Sequence, residues 1–381
     1  MRRENKKNMI EGLQLSIPKR MAILKNILTV SLLVSVLSSL HLWCGERSFP
    51  RSQVWTWFYL NEWGEISLLA CYCLLLIASM FLRKQRLIMF LSLVIATVFV
   101  LADLNRLQPW FFLYNAMLTA FVFYDGRVDD SNKFTSYFII LQLIFASVYF
   151  FAGLNRFNSF FVQEEFTYTI APLQKILSER HYLFFLKIGV SIPYLMVFIG
   201  LGLIITSIRY LAFALVVLFH LLLFFLMMPA FGNYNYPLWI SQPMFILLAL
   251  FLFSGKTKQR YFSPSFLMGV PLFYLVVALF LILPFFTKLG TWPQYLTGDF
   301  KNYKSEQHLL KLKPSVFEKI PNYEKSFCKE SSNGYSLDYN AWCLHELNAA
   351  CFNEKAIEKE VEAYVKQFDV KSPKNVQLAL N

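Results

Sequence analysis

The chain has 381 residues, of which 56% are hydrophobic and 16% charged, and its formal net charge is +12. A soluble domain of this length carries roughly a quarter charged residues, so the composition excludes an ordinary water-soluble fold. Nucleic-acid binding is excluded as well, because residues 289–381 hold 12 lysines, no arginine and 12 acidic residues. The whole positive excess therefore sits in the N-terminus and the short loops, where it sets topology and attracts anionic lipid.

In chain order, a basic N-terminus (residues 1–21) precedes apolar runs at roughly 22–44, 66–82, 87–104, 109–124, 134–154, 187–208, 210–230, 236–254 and 266–287. Each approaches the length that crosses a hydrocarbon core of about 30 Å at 1.5 Å per residue. The first is too long for the apolar region of a signal peptide and no small-residue cleavage site follows it, so it is a retained anchor. The fourth, starting at Pro109, is the shortest. The expected fold is an all-α integral membrane protein, a polytopic bundle of about nine transmembrane helices over residues 22–288, with a small, mainly helical extracytoplasmic tail over 289–381.

Lysine and arginine counts orient the bundle. With the N-terminus in the cytoplasm, the inside segments carry 16 basic residues and the outside segments before the tail carry 8, which the positive-inside rule favours. Nine spans then put the tail outside. Between the fifth and sixth runs, residues 157–186 include "LQKILSERHY", a helical stretch expected in the outer interface. In the tail, "GTWPQYLTGDF" and "KESSNGYS" read as soluble punctuation. Its last helix lines up Ile357, Val361, Tyr364, Val365 and Phe368 on one face, which needs a partner.

Polar residues inside a bilayer are functional candidates. Asp103 and Arg106 end the third run, Asn155 and Arg156 the fifth. Asn233, Asn235 and Trp239 follow the seventh, and His220 lies about ten residues below them. These groups share the outer half, where a pocket is expected. Each also has a plain structural role available: Asp103 and Arg106 as a local ion pair, Arg156 reaching for headgroups, His220 tying two helices by a hydrogen bond. Cys44, Cys328, Cys343 and Cys351 face the oxidising side and are disulfide candidates with connectivity open, although Cys343 and Cys351, about 12 Å apart on one helix, should not pair with each other. No metal-binding motif, phosphate loop or nucleophile elbow is present.

The stretch "LQLIFASVYFFAGLNRFN", followed some 60 residues later by "LFHLLLFFLMMPAFGNYNYPLWI", resembles the vitamin K-dependent γ-glutamyl carboxylases. It also resembles their bacterial relatives, the horizontally transferred transmembrane (HTTM) domain proteins. "NRLQPWFFLYNAML" fits the same relatives, and the likeness covers roughly residues 87–300. The resemblance implies a reduced quinone of the vitamin K kind as cofactor, a lysine base that deprotonates it, and carbon dioxide captured by a glutamate carbanion on an extracytoplasmic protein or peptide. It maps Arg156 onto the base position, Asn155 onto its neighbour and His220 onto the Phe-His pair. Apart from the resemblance, the polar residues Asn155, Arg156, Asp103, Arg106, Asn115, Asn233, Asn235 and Trp239 are the candidate ligand-binding residues.

Three departures bear on the function. Arginine stays protonated above pH 12 and cannot accept the proton that a desolvated lysine could. Pro109 or Trp110 stands where the carboxylases have an Asn-His pair, and the tail of about 90 residues is much shorter than their lumenal domain. The expected function is a carboxylase-fold protein of the bacterial inner membrane, with an outer-leaflet pocket for a quinone- or lipid-like ligand and without γ-carboxylase activity. One alternative is an active carboxylase-like lyase with His220 as base. A second is a redox-associated membrane partner of the DoxX or MauE kind, which would need reactive thiols at the pocket.

Overall fold

A computed structural model describes residues 16–53, 60–82, 85–123, 131–157, 161–231, 235–254, 309–331, 334–348 and 354–369. The helices of its first part are α1 (Ile17–Leu37), α2 (Glu62–Phe81), α3 (Gln85–Ala102), α4 (Pro109–Phe123), α5 (Ser131–Asn155), α6 (Phe166–Gln174), α7 (Glu179–Ile188), α8 (Ile192–Ile204), α9 (Arg209–Leu226) and α10 (Tyr236–Phe253). Seven helical stretches are long and apolar enough to cross a membrane, α7 to α8 counting as one of 26 residues; α4, at 15 residues, is shorter. The expected ninth span, at 266–287, lies outside the described residues.

Local sequence sets the helix starts. Asn61 caps α2 by accepting from the Gly64 amide at 2.8 Å, with Glu62 and Glu65 in the first turn, where they complement the helix dipole. Asn235 caps α10 by accepting from the Leu238 amide at 3.3 Å, one residue before the start. The first run begins earlier than expected, at Ile17, and breaks at Ser38, where the Ser38 and Ser39 hydroxyls bond back to carbonyls of the last turn. A further difference concerns "LQKILSERHY". Only its first part belongs to the short helix α6, whereas α7 continues through a 3-10 turn at Gly189–Ser191 into α8.

α1 is the central post, packed against α2, α4, α5 and α10. Its buried residues, among them Arg20, Leu24, Leu28, Ser31, Leu32 and Val36, share one broad face at helical spacing, while Val30, Val34 and Leu37 on the opposite side are exposed. The tightest pairing is α5 with α8. A methyl group added at Gly153 would come within 2.7 Å of the Pro193 carbonyl, and one at Gly200 within 2.7 Å of the Phe150 amide nitrogen, so only glycine permits this approach. Large apolar side chains such as Leu74, Phe81, Leu87, Phe90, Tyr194 and Leu218 face outward. In a bilayer, lipid tails cover them.

The tail departs from the mainly helical expectation by including a three-stranded antiparallel sheet. Strands β1 (Leu309–Leu312), β2 (Cys328–Ser331) and β3 (Gly334–Asp338) run in the order β1-β3-β2, with Leu310 opposite Leu337 and Glu330 opposite Tyr335. Two longer helices, α11 (Tyr339–Leu347) and α12 (Glu354–Asp369), and single helical turns at Pro314–Phe317 and Asn322–Lys325 complete it. Ile357, Val361 and Val365 of α12 are buried, Tyr364 meets Trp342 at 5.4 Å, and its hydroxyl donates to Glu324 at 3.0 Å. The apolar face of the last helix is thus covered by the tail itself.

The tail docks on the loop that follows α1. Phe49 packs edge-on against Trp342 with ring centroids 5.0 Å apart. At the other end of the bundle, Arg20 in the first turn of α1 donates to the Phe251 carbonyl near the end of α10 at 2.7 Å. α10 therefore ends at the Ile17 end, and the tail sits at the opposite end, beside the loop.

Candidate functional site

The expected single pocket resolves into three separate places. The first is a buried ion network at the loop end. Asp103, fully buried, pairs with Arg47 and accepts from the Ser52 amide at 3.1 Å and the Asn105 side chain at 2.9 Å. Arg106, 1% exposed, pairs with Glu65 at 2.5 Å and donates to the carbonyls of Leu42 and Trp43 at 3.0 and 3.1 Å. Arg51 holds the other Glu65 oxygen at 2.8 Å. Asp103 and Arg106 are thus not the local pair expected from their spacing. A helix would bring i and i+3 together, but the chain leaves α3 at Ala102 and Asp103 takes an extended conformation. The same pairing excludes Asp103 as a counter-charge for Arg156.

Charges this deep are stable only when paired and hydrogen-bonded, and the loop is built to supply the pairs. Asn105 Oδ1, Arg106 Nη1 and Trp110 Nε1 nevertheless remain buried without a hydrogen-bond partner. The network is closed from above by the tail. Glu346 accepts from the Ser48 hydroxyl at 2.7 Å and the Phe49 amide at 3.1 Å, and Trp342 Nε1 donates to Glu346 at 2.7 Å.

The second place lies within the bundle. His220 on α9 is 5% exposed and stacked on Phe245 with centroids 4.8 Å apart. Its Nδ1 is 2.7 Å from Gln242 Oε1, and its Nε2 is 2.5 Å from the Tyr149 hydroxyl. Gln242 donates through its amide nitrogen to the Leu238 carbonyl at 2.8 Å, which leaves its oxygen toward the imidazole. The partners therefore assign the tautomer: Nδ1 carries the proton and Nε2 accepts from Tyr149. With both nitrogens engaged, His220 ties α5, α9 and α10 together and has no lone pair to offer a substrate.

The third place is the end of α5. Asn155 is the last residue of the helix and is half-buried. The Arg156 guanidinium, also half-buried, donates to the Ala152 carbonyl at 3.2 Å and lies 5.6 Å from the centre of the Phe161 ring. Arg156 follows the end of α5, seven residues after Tyr149 in sequence.

The remaining predicted residues have local partners. Asn115 accepts from the Tyr72 hydroxyl at 3.2 Å and donates to the Phe111 carbonyl at 2.8 Å, joining α2 to α4. Asn235 is the α10 cap. Trp239 donates to the Phe224 carbonyl at 2.9 Å and stacks on that ring at 5.0 Å. Asn233 lies outside the described residues, as does Cys351. Cys44, Cys328 and Cys343 carry free thiols, so the described disulfide candidates do not pair with one another. Among the described residues no group of three or more His, Cys, Asp or Glu side chains could hold a metal ion.

Sequence reasoning passed over Arg47, Glu65, Tyr149 and Gln242. Glu65 carried a usable signal, as a carboxylate immediately before an apolar run. No protein-family model matches the chain, and no curated protein and no solved structure shows significant similarity to it.

Proposed function

We propose that this membrane bundle is carboxylase-like in build and binds the oxygen-bearing head of a quinone- or lipid-like molecule at the end of α5, without performing γ-carboxylation. The observation that carries the reading is an arginine at the base position in a bundle where the ring nitrogens of His220 are both already bonded. The group at the base position cannot accept a proton, and the His220 imidazole has both nitrogens occupied. A guanidinium suits a carbonyl, carboxylate or phosphate oxygen as a donor. The residues thus fit the oxygens of a quinone and do not fit deprotonation of its reduced form. The free thiol of Cys44 and those of Cys71 and Cys73 within α2 give the DoxX- or MauE-like alternative no support beyond their presence.

The same reading gives the bundle nine crossings. α10 ends at the Ile17 end and the tail begins at the loop end, so an odd number of crossings between them completes the path. With the positive-inside orientation, the N-terminus is cytoplasmic in a bacterial inner membrane. The tail is then extracytoplasmic, where it would meet a protein or peptide partner.

The test is purified protein with reduced vitamin K and oxygen, wild type beside Arg156→Lys and Arg156→Ala, with quinone binding and epoxide read separately. We expect quinone binding by wild type, its loss in Arg156→Ala, and no epoxide from wild type. Epoxide from wild type, or equal binding by Arg156→Ala, would overturn the reading.

A further inference from the structure

The helical stretch from Glu179 to Ile204, which joins α7 to α8, has two unlike sides. One side packs on the bundle. Tyr182 of α7 is buried with Ile170 and Leu173 of α6 and Leu226 of α9, and Phe185 and Leu186 pack against them. The other side carries an exposed apolar stripe of Leu183, Phe184, Val190, Tyr194, Phe198 and Leu201, which recur at helical spacing. In a bilayer, acyl chains cover such a stripe.

Charge stands on this stretch only at its beginning. Residues 188–208 contain no charged side chain, whereas Glu179, Arg180 and Lys187 are exposed on α7. From Lys187 to Ile205, where α8 has ended, the rise is about 27 Å, close to a hydrocarbon core of about 30 Å. Lys187 therefore marks the hydrocarbon boundary at the loop end, and Arg180 lies about 10 Å beyond it, at the level of the headgroups. Glu179, Arg180, Leu183, Phe184 and Lys187 together line one hollow of about 450 Å³. Glu179 belongs to the first turn of α7, where its carboxylate complements the helix dipole, so the cations outnumber it at the hollow. Neither Arg180 nor Lys187 is hydrogen-bonded or ion-paired to another described residue. Leu183 and Phe184 suit acyl chains, and the two cations suit an anion; an amphiphile with a negative head satisfies both.

We propose that this face of α7 binds one anionic phospholipid from the leaflet at the loop end. Its phosphate lies between Arg180 and Lys187, and an acyl chain runs over Leu183 and Phe184 onto the α8 stripe. The two cations are about 10 Å apart along the helix axis, a span that two long, flexible side chains can close around a phosphate.

The experiment uses the full chain, stripped of lipid in neutral detergent, with the first bound lipid followed by native mass spectrometry. Three probes are titrated: phosphatidylglycerol, phosphatidylcholine with the same acyl chains, and glycerol phosphate, which has the head without the chains. Wild type should bind phosphatidylglycerol about tenfold more tightly than phosphatidylcholine, and glycerol phosphate far more weakly than either. In Arg180→Gln/Lys187→Gln the preference should vanish, whereas Arg180→Lys/Lys187→Arg should keep it. Leu183→Ser/Phe184→Ser should weaken both lipids alike and leave the preference in place. All four side chains are exposed, so these variants should fold, and their unfolding midpoints check that they do. Equal affinity for the two lipids in wild type, or a preference that survives in the double glutamine variant, would overturn the site. So would glycerol phosphate binding as tightly as phosphatidylglycerol, or lipid affinity unchanged in Leu183→Ser/Phe184→Ser.

Discussion

Glu346 in the tail accepts a hydrogen bond from the Ser48 hydroxyl at 2.7 Å, across 298 positions of sequence. The same carboxylate receives the Ser48 amide at 2.5 Å, the Phe49 amide at 3.1 Å and the Trp342 indole at 2.7 Å. An ionised acceptor taking several donors at once is among the stronger neutral-pH contacts. In Glu346→Gln the amide must turn an N–H group toward donors. The Ser48 and Phe49 amides should then exchange with deuterium about tenfold faster or more than in wild type. Unchanged exchange would mean that Phe49 packing on Trp342 holds the tail unaided.

Glu65 serves two arginines, Arg106 at 2.5 Å and Arg51 at 2.8 Å. Glu65→Gln leaves a fully buried guanidinium without its charge partner, a change that costs about 3–5 kcal/mol. The unfolding midpoint in detergent should fall by several degrees. The double variant Glu65→Gln/Arg106→Gln should recover part of the loss, because it removes the stranded charge. A double variant no better than the single one would show that Arg106 is held by the Leu42 and Trp43 carbonyls instead.

His220→Phe keeps the stacking on Phe245 and removes both polar links, to Tyr149 and to Gln242. Interhelical hydrogen bonds within membranes contribute about 0.6–2 kcal/mol each. The variant should therefore fold, with a modestly lower midpoint and no change in quinone binding at Arg156. A loss of quinone binding in a folded His220→Phe protein would place the imidazole at the ligand.

At the α5–α8 contact, Gly200→Ala puts a methyl group against the backbone of Phe150, which has no freedom to step aside. Overpacking of this kind costs about 1–3 kcal/mol. Gly45, whose added Cβ would meet nothing within 4 Å, does not share that packing penalty, although its positive φ of 98° favours glycine for a different reason. Midpoints for Gly200→Ala and Gly153→Ala below that of wild type would confirm the close approach of the two helices.

In the tail, burial and the neighbouring Glu324 carboxylate push the Cys328 thiol up to about 11. A raised pKa keeps the group as the unreactive thiol. Its alkylation by iodoacetamide should therefore be slow at pH 8 and rise about tenfold per pH unit until near pH 11. Glu324→Gln should shift that rise to lower pH. A plateau near pH 9 in wild type, read peptide by peptide in a mass spectrometer, would show an unperturbed thiol.

The spans were legible because helix length and apolar composition answer directly to bilayer thickness, and eight of the nine expected runs coincide with described helices. The expected interface segment was harder to read, since α7 is polar on one side yet continues into α8. The site was less legible for a related reason. Sequence spacing pairs Asp103 with Arg106, but the true partners, Arg47 and Glu65, lie 56 and 41 positions away. Only tertiary packing brings them in. Tyr149 was hidden in an aromatic run in which nothing but its contact with His220 distinguishes it. The sheet in the tail escaped notice because strands of four or five residues leave too short an alternation to detect.

The grip of Glu346 and Trp342 on Ser48 and Phe49 turns the intervening chain into a closed loop that starts and ends at one point. A single break between Ser254 and Leu309 would therefore sever the backbone without detaching the tail. It would leave two fragments, one holding α1 to α10 and the other holding the sheet with α11 and α12. The surface on which they would meet again already has its anchoring residues in place.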